Sequence, residues 1–144
     1  AFDLPVTTIR PFNVYGIGQA EHFLIPSIIR QVMGARREII VKDLAPKRDY
    51  VYLEDLITAL MATLHKPSGY SVYNIGSGVS LSVQEVIEII QDVASTNKNI
   101  VCDQVIRTNE LMDVVADISK AEKELGWHPE YSFRLGVEKI ICSN

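Results

Sequence analysis

The chain holds 144 residues, 47% of them apolar and 22% charged, with a net charge of -4. That suits one compact domain, or the end of one joined to a second small one, with a core burying roughly two-thirds of the unfolded surface. Its charges of both signs are scattered, so it lacks the basic face that displaces counterions from phosphates, and non-specific nucleic-acid binding is excluded. No apolar run reaches the ~18 residues of a membrane span, and no basic stretch followed by an apolar one marks a signal peptide.

In chain order, Val6 to Arg10 is a β-branched strand that stops at Pro11, which cannot donate to a ladder. Ala1 to Pro5 runs straight into it without turn or capping chemistry, which reads as a truncation. Phe12 to Gln19, with an asparagine, a tyrosine and two glycines, is expected to be a loop. His22 to Met33 carries Leu24, Ile25, Ile28, Ile29 and Val32 at helical spacing, with Gly34 as its stop. Ile39 to Lys42 and Asp49 to Tyr52 are short strands about the turn Leu44 to Lys47.

Glu54 and Asp55 open the next helix, where acidic side chains suit the positive end. Leu56, Ile57, Leu60, Met61 and Leu64 are expected to be its buried stripe, and Lys66 to Gly69 its end. Ser71 to Ile75 is a strand closed by Gly76-Ser77-Gly78. Ser82 with Glu85 predicts a capping box for a helix over Val83 to Ala94, and Ser119 with Glu122 a second box for a short helix ending at Gly126. Ile100 to Cys102 and Val114-Val115 are read as strands, and Phe133 to Ile141 as the last helix, with Trp127 a core anchor packing the last two helices. The alternation predicts an α/β fold in which the first strand belongs to a large parallel sheet and the later ones to a small satellite sheet. Cys102 and Cys142 stand far apart without CxxC or Cys/His spacing, so no metal site is expected, and a reduced, cytoplasmic protein is the default.

Five segments in order carry a family pattern. They are Ile9 to Gly16, Phe23-Leu24-Ile25-Pro26, Lys47 to Asp55, Tyr73 to Gly78, and Asp117 to Ala121 with Leu125 to Pro129. Together they resemble the extended short-chain dehydrogenase/reductase family, the NAD-dependent sugar-nucleotide epimerases and dehydratases. The G-x-x-G-x-x-G turn and the Tyr-x-x-x-Lys pair, which lie upstream in that family, do not occur here. The resemblance therefore implies the last part of a Rossmann-like doubly wound parallel sheet (residues 1–20) plus a small α/β substrate-binding subdomain (residues 21–144). Ile17 in place of proline, Asp43-Leu44-Ala45-Pro46 in place of G-[DN]-G, and Arg107-Thr108-Asn109-Glu110 in place of R-P-x-[DE] depart from the pattern.

The resemblance also implies a site. Arg48 and Arg107 would meet a diphosphate, since guanidinium is planar, forked and always charged; the bland alternative is a surface ion pair worth little. Asn13, just past a strand's C-terminal end, can donate to phosphate and accept from a sugar hydroxyl, or simply close a turn. Phe23, Leu24, Ile25 and Pro26 would line the base pocket, and Asn74 either touches ligand or satisfies strand-end groups. Pro11 and Val14 would border the nicotinamide. The histidines stand alone and receive no chemistry. The expected partners are a nucleoside-diphosphate sugar, the N-terminal Rossmann half and a second copy in a homodimer, with NAD or NADP bound only in the full-length parent. The rival reading is a stand-alone nucleotide-sugar binding or regulatory module without redox chemistry.

Overall fold

The computed structural model describes residues 4–65, 69–103 and 111–143. Its elements run β1 (Val6–Pro11), β2 (Asn13–Tyr15), α1 (Leu24–Met33), β3 (Glu38–Val41), β4 (Lys47–Tyr52), α2 (Leu53–Leu64), β5 (Tyr70–Ile75), β6 (Ser80–Ser82), α3 (Val83–Val93), β7 (Asn99–Cys102), β8 (Asp113–Val114), α4 (Ser119–Leu125) and α5 (Phe133–Cys142). The mostly parallel strands with helices between them are the α/β, Rossmann-like arrangement expected. Two corrections concern the strands. β5 does not join a satellite sheet but pairs β1 in parallel from Val6↔Tyr70 to Pro11↔Ile75. The expected loop after Pro11 contains β2, which pairs β4 in parallel.

β4 is the wall between two cores. Its first half lies between β6, antiparallel, and β8, parallel, and its second half pairs β2. With helices packed on both sides, Asp49 to Tyr52 are all buried, as strands covered on two faces are. Period-two alternation sends Tyr50 and Tyr52 one way and Val51 the other. The tyrosines join Tyr15, the apolar faces of α1 and α3, β3, and Val137 and Ile140 of α5. Val51 joins Ala59, Tyr73, Ile75, Ala121 and Trp127. The approach of α5 is so close that a Cβ on Gly136 would stand 2.2 Å from the Tyr15 hydroxyl oxygen.

Local chemistry sets the helix ends. The Ser82–Glu85 box forms in full, each side chain answering the other's backbone N–H. The Ser119–Glu122 box does not form: the Asp117 carboxylate takes both the Ser119 N–H (3.0 Å) and its hydroxyl (2.6 Å), so Ser119 becomes the first helical residue and not the cap. α1 stops at Gly34 in extended backbone, and Lys98 Nζ reaches in to donate to the Gln31 and Gly34 carbonyls at 2.8 and 2.6 Å. Trp127 is buried as expected, but its indole N–H anchors it to α2, on the Asp55 carbonyl and the Thr58 hydroxyl, and not between the last two helices.

The expected stripe of α2 is the main reversal. Leu56, Ala59 and Ala62 turn inward, while Ile57, Leu60, Met61 and Leu64 are 49%, 46%, 53% and 73% exposed. The helix is apolar nearly all round, so spacing alone could not choose its inner face. Small alanines let it lie close on β4, β1 and β2, and those contacts decide.

Candidate nucleotide site

A cavity of about 600 Å³, of the size that holds small ligands, opens between the first turn of α1, the end of β3 and the start of β4. Of the expected site residues, Asn13, Phe23, Leu24, Ile25 and Arg48 line it, as does Val14. Pro26 sits one helical position on and lines a second cavity, of about 490 Å³, with Gly16, Ile29 and Ile140. Neither cavity is lined by Pro11 or Asn74. Pro11 is exposed at the end of β1, and Asn74 donates its amide to the Asp117 carbonyl at 3.3 Å. Arg107 lies outside the described residues.

Arg48 is placed by β4, in register with Leu81 on one side and Val114 on the other. Its Nη1 donates to the Lys47 and Leu111 carbonyls, both at 2.7 Å, so the guanidinium ties β4 to the segment just before β8 at the cavity wall. Asn13 is not a turn asparagine: its amide crosses to the Asp49 carbonyl at 3.0 Å, which fixes it one residue from Arg48. Tyr50, also on the wall, has its phenol pushed up to about 12 by burial, against the opposing effect of the Arg48 charge, so it stays a neutral hydroxyl at physiological pH.

The third component is the N-terminus of α1. Phe23 at the N-cap makes no side-chain cap bond and Pro26 has no N–H, so no N-cap side chain closes the first turn of α1, whose Leu24 and Ile25 line the cavity. Arg48, Asn13 and the start of α1 thus share one cavity, and a guanidinium and a helix N-terminus are each groups that favour anions.

Sequence reasoning missed Gln19, His22, Gln31, Lys42 and Tyr50, which also line this cavity. Only the Tyr50 position was inside a recognised motif; the others reach the site through the folding of loops and of β3 back onto α1. Gln19 ties its amide to the Val14 carbonyl at 3.0 Å and leaves its buried Oε1 without a partner. Among the described residues no cluster of three His, Cys, Asp or Glu suits a metal, and no helix is long and apolar enough to cross a membrane.

The fold and the five motifs are those of the extended short-chain dehydrogenase/reductase family. The chain belongs to the GDP-mannose 4,6 dehydratase family, whose model matches residues 1–140. It is 32% identical over 139 residues to dTDP-4-dehydro-6-deoxyglucose reductase of Escherichia coli, covering 94% of this chain and 44% of that one. It is 29% identical over 142 residues to GDP-6-deoxy-D-mannose reductase of Pseudomonas aeruginosa, covering 94% and 47%. The structure of RMD from Pseudomonas aeruginosa complexed with NADPH superposes with a TM-score of 0.86 at 29% identity, over 95% of this chain and 47% of that one. MoeE5 in complex with UDP-glucose and NAD gives 0.85 at 28%, over 96% and 46%. The chain thus spans just under half the length of the relatives it matches.

Proposed function

We propose that this chain is the sugar-nucleotide-binding part of an NAD(P)-dependent nucleoside-diphosphate-sugar epimerase or dehydratase, and that its larger cavity grips the nucleoside diphosphate. The observation that carries the reading is the convergence of Arg48, Asn13 and the uncapped start of α1 on one cavity. In this role Arg48 and the helix N-terminus take the diphosphate, the Phe23–Leu24 edge covers the base, and the sugar is held toward the end of β1 near Pro11 and Val14. That is a positioning function, which contributes by fixing the reacting sugar in place.

Residues 1–20, together with β5 that pairs β1, would help complete a dinucleotide-binding domain, and the rest of residues 21–144 would form the substrate subdomain. The nicotinamide cofactor supplies hydride transfer when bound to the whole enzyme. The residues present do not cradle it: no G-x-x-G-x-x-G turn occurs in the sequence, and the backbone approach to a pyrophosphate that such a turn gives has no counterpart in Gly76-Ser77-Gly78, where the Ser77 and Gly78 N–H groups donate to Asp49. The exposed apolar stripe of α2 and the single partner of β1 among the described residues support a further protein surface packing there, as an all-round apolar helix requires. The N-terminal Rossmann half is the proposed occupant, with a homodimer as the assembly.

Calorimetric titration with UDP, dTDP and GDP tests the reading, with NAD as the companion ligand. Binding of at least one diphosphate, together with no micromolar binding of NAD, is expected. A chain that binds none of the three diphosphates overturns it.

A further inference from the structure

Within the larger cavity one side chain is already engaged as a nucleobase would be. Gln31 accepts the Ile40 N–H on its Oε1 at 2.8 Å and donates from its Nε2 to the Ile40 carbonyl at 3.3 Å. Both residues line the cavity, and both bonds are open to solvent. The groups involved are the free edge of β3. In its parallel pairing with β7, alternate residues face the neighbour: Asn99 donates to the Arg37 carbonyl and Asp103 to the Val41 carbonyl, which leaves Ile40 pointing to the other side. A donor beside an acceptor is the pattern of a carboxamide, and equally that of the N–H and C=O edge of uracil, thymine or guanine.

The contact is not needed to hold either element. β3 is fixed by its ladder from Glu38↔Asn99 to Val41↔Cys102 and by the full burial of Ile39. The last turn of α1 is fixed by Ile28, Ile29 and Val32 in the core and by Lys98 on the Gln31 and Gly34 carbonyls. A long, solvent-reached side chain can therefore leave without unravelling what it joins. The half-exposed Phe23 ring at the mouth of the same cavity offers an apolar face for the base plane.

We propose that Gln31 is an internal stand-in for the nucleobase: it saturates the Ile40 edge when no ligand is present and is displaced when a base bearing adjacent N–H and C=O groups docks there. This rests on the nucleotide reading of the cavity and adds to it which atoms read the base and what they must first release. Displacement costs the two Gln31 bonds, so Gln31 lowers affinity for nucleotides while leaving the phosphate subsite untouched. Freeing the edge should tighten binding by several-fold, up to about tenfold, which corresponds to ~1.4 kcal/mol.

The test titrates UDP, dTDP, GDP and inorganic pyrophosphate against the wild-type chain, Gln31→Met and Gln31→Ala, with melting curves for each. The expected result is a roughly three- to tenfold tighter Kd for whichever nucleotides bind the wild type, no change for pyrophosphate, and melting within a few degrees. Equal or weaker nucleotide affinity in both folded variants means that Gln31 merely braces β3, and overturns this proposal alone. Absence of any diphosphate binding to the wild type overturns the site reading and this inference with it. NMR of the wild type decides independently of the variants: the Gln31 side-chain NH2 should exchange faster with water at saturating ligand, and unchanged protection overturns the proposal.

Discussion

The carboxylate of Asp49 accepts both the backbone N–H and the hydroxyl of Ser77, at 2.6 and 2.7 Å. Its other oxygen takes the Gly78 and Ala116 N–H groups at 2.9 and 3.0 Å. A fully buried anion thus gathers the loop after β5 and the segment after β8 onto β4, one residue from Arg48. The cradle leaves no room at Gly76, where a Cβ would meet the Ala116 Cβ at 2.4 Å and Asp49 Oδ2 at 2.7 Å. Asp49→Ala strands several buried donors at once and should cost about 3–5 kcal/mol of stability. Asp49→Asn keeps the shape but must turn an N–H toward donors, so it should recover only part. Chemical denaturation of the three proteins measures this; an Asp49→Ala loss under about 1 kcal/mol would show the cradle to be dispensable.

Alkaline titration should report the burial of Tyr50. In the unfolded chain its phenol ionises near the ordinary value of 10.0, whereas burial holds the folded one to about 12. Between those values the unfolded state has released a proton that the native state keeps, so stability falls as pH rises through that window and is unaffected below it. Tyr15, Tyr52 and Tyr73 are shifted in the same direction, in each case first by burial. Tyr50→Phe should remove a phenolate absorbance step near pH 12 and soften the alkaline loss of stability. Loss of a step near pH 10 would place Tyr50 in solvent.

The outer face of α2 gives a third prediction. Met61→Lys and Leu60→Lys act on half-exposed side chains, so each should change stability by no more than about 0.5 kcal/mol. The same changes should reduce hydrophobic-dye binding and self-association of the chain in sedimentation, since an uncovered apolar stripe seeks cover. A loss of several kcal/mol would restore the inward stripe expected from spacing. A wild-type chain that is monomeric and dye-negative would contradict the proposed packing surface.

What could be read from the residues, and what could not, divides along physical lines. Where a local contact decides, the sequence was sufficient: Ser82 and Glu85 close their own box, and Ile25, Ile28, Ile29 and Val32, at helical spacing, face a core, while Leu24 of the expected stripe is exposed at the cavity. Where two local contacts compete, it was not, and Asp117 took Ser119 before Glu122 could. The faces of α2 were set by Ala59 and Ala62 turned toward β1 and β2, partners distant in the chain. The same holds in the site. Asn13, Phe23 to Ile25 and Arg48 come from motifs and share the cavity, but Gln31 and Lys42 arrive there only because β3 folds back along α1, a placement no short motif encodes.

The most direct test of the account is at Arg48. Its guanidinium stands on the cavity wall, where Nη1 donates to the Lys47 and Leu111 carbonyls, and a bound diphosphate would meet its charge there. Charge-assisted bonds of this kind contribute roughly 1.5–3 kcal/mol each, less where water screens them. Calorimetry should compare UDP, dTDP and GDP with the corresponding nucleosides on wild type, Arg48→Ala and Arg48→Lys, with thermal melts confirming that each is folded. Arg48→Ala is expected to weaken diphosphate binding by roughly 30- to 150-fold, equivalent to about 2–3 kcal/mol. Arg48→Lys should recover only part, because an ammonium cannot match the fork, and nucleoside binding should barely change. Equal diphosphate affinity in all three folded proteins would show that Arg48 only bridges Lys47 and Leu111, and would contradict the assignment of this cavity to a nucleoside diphosphate.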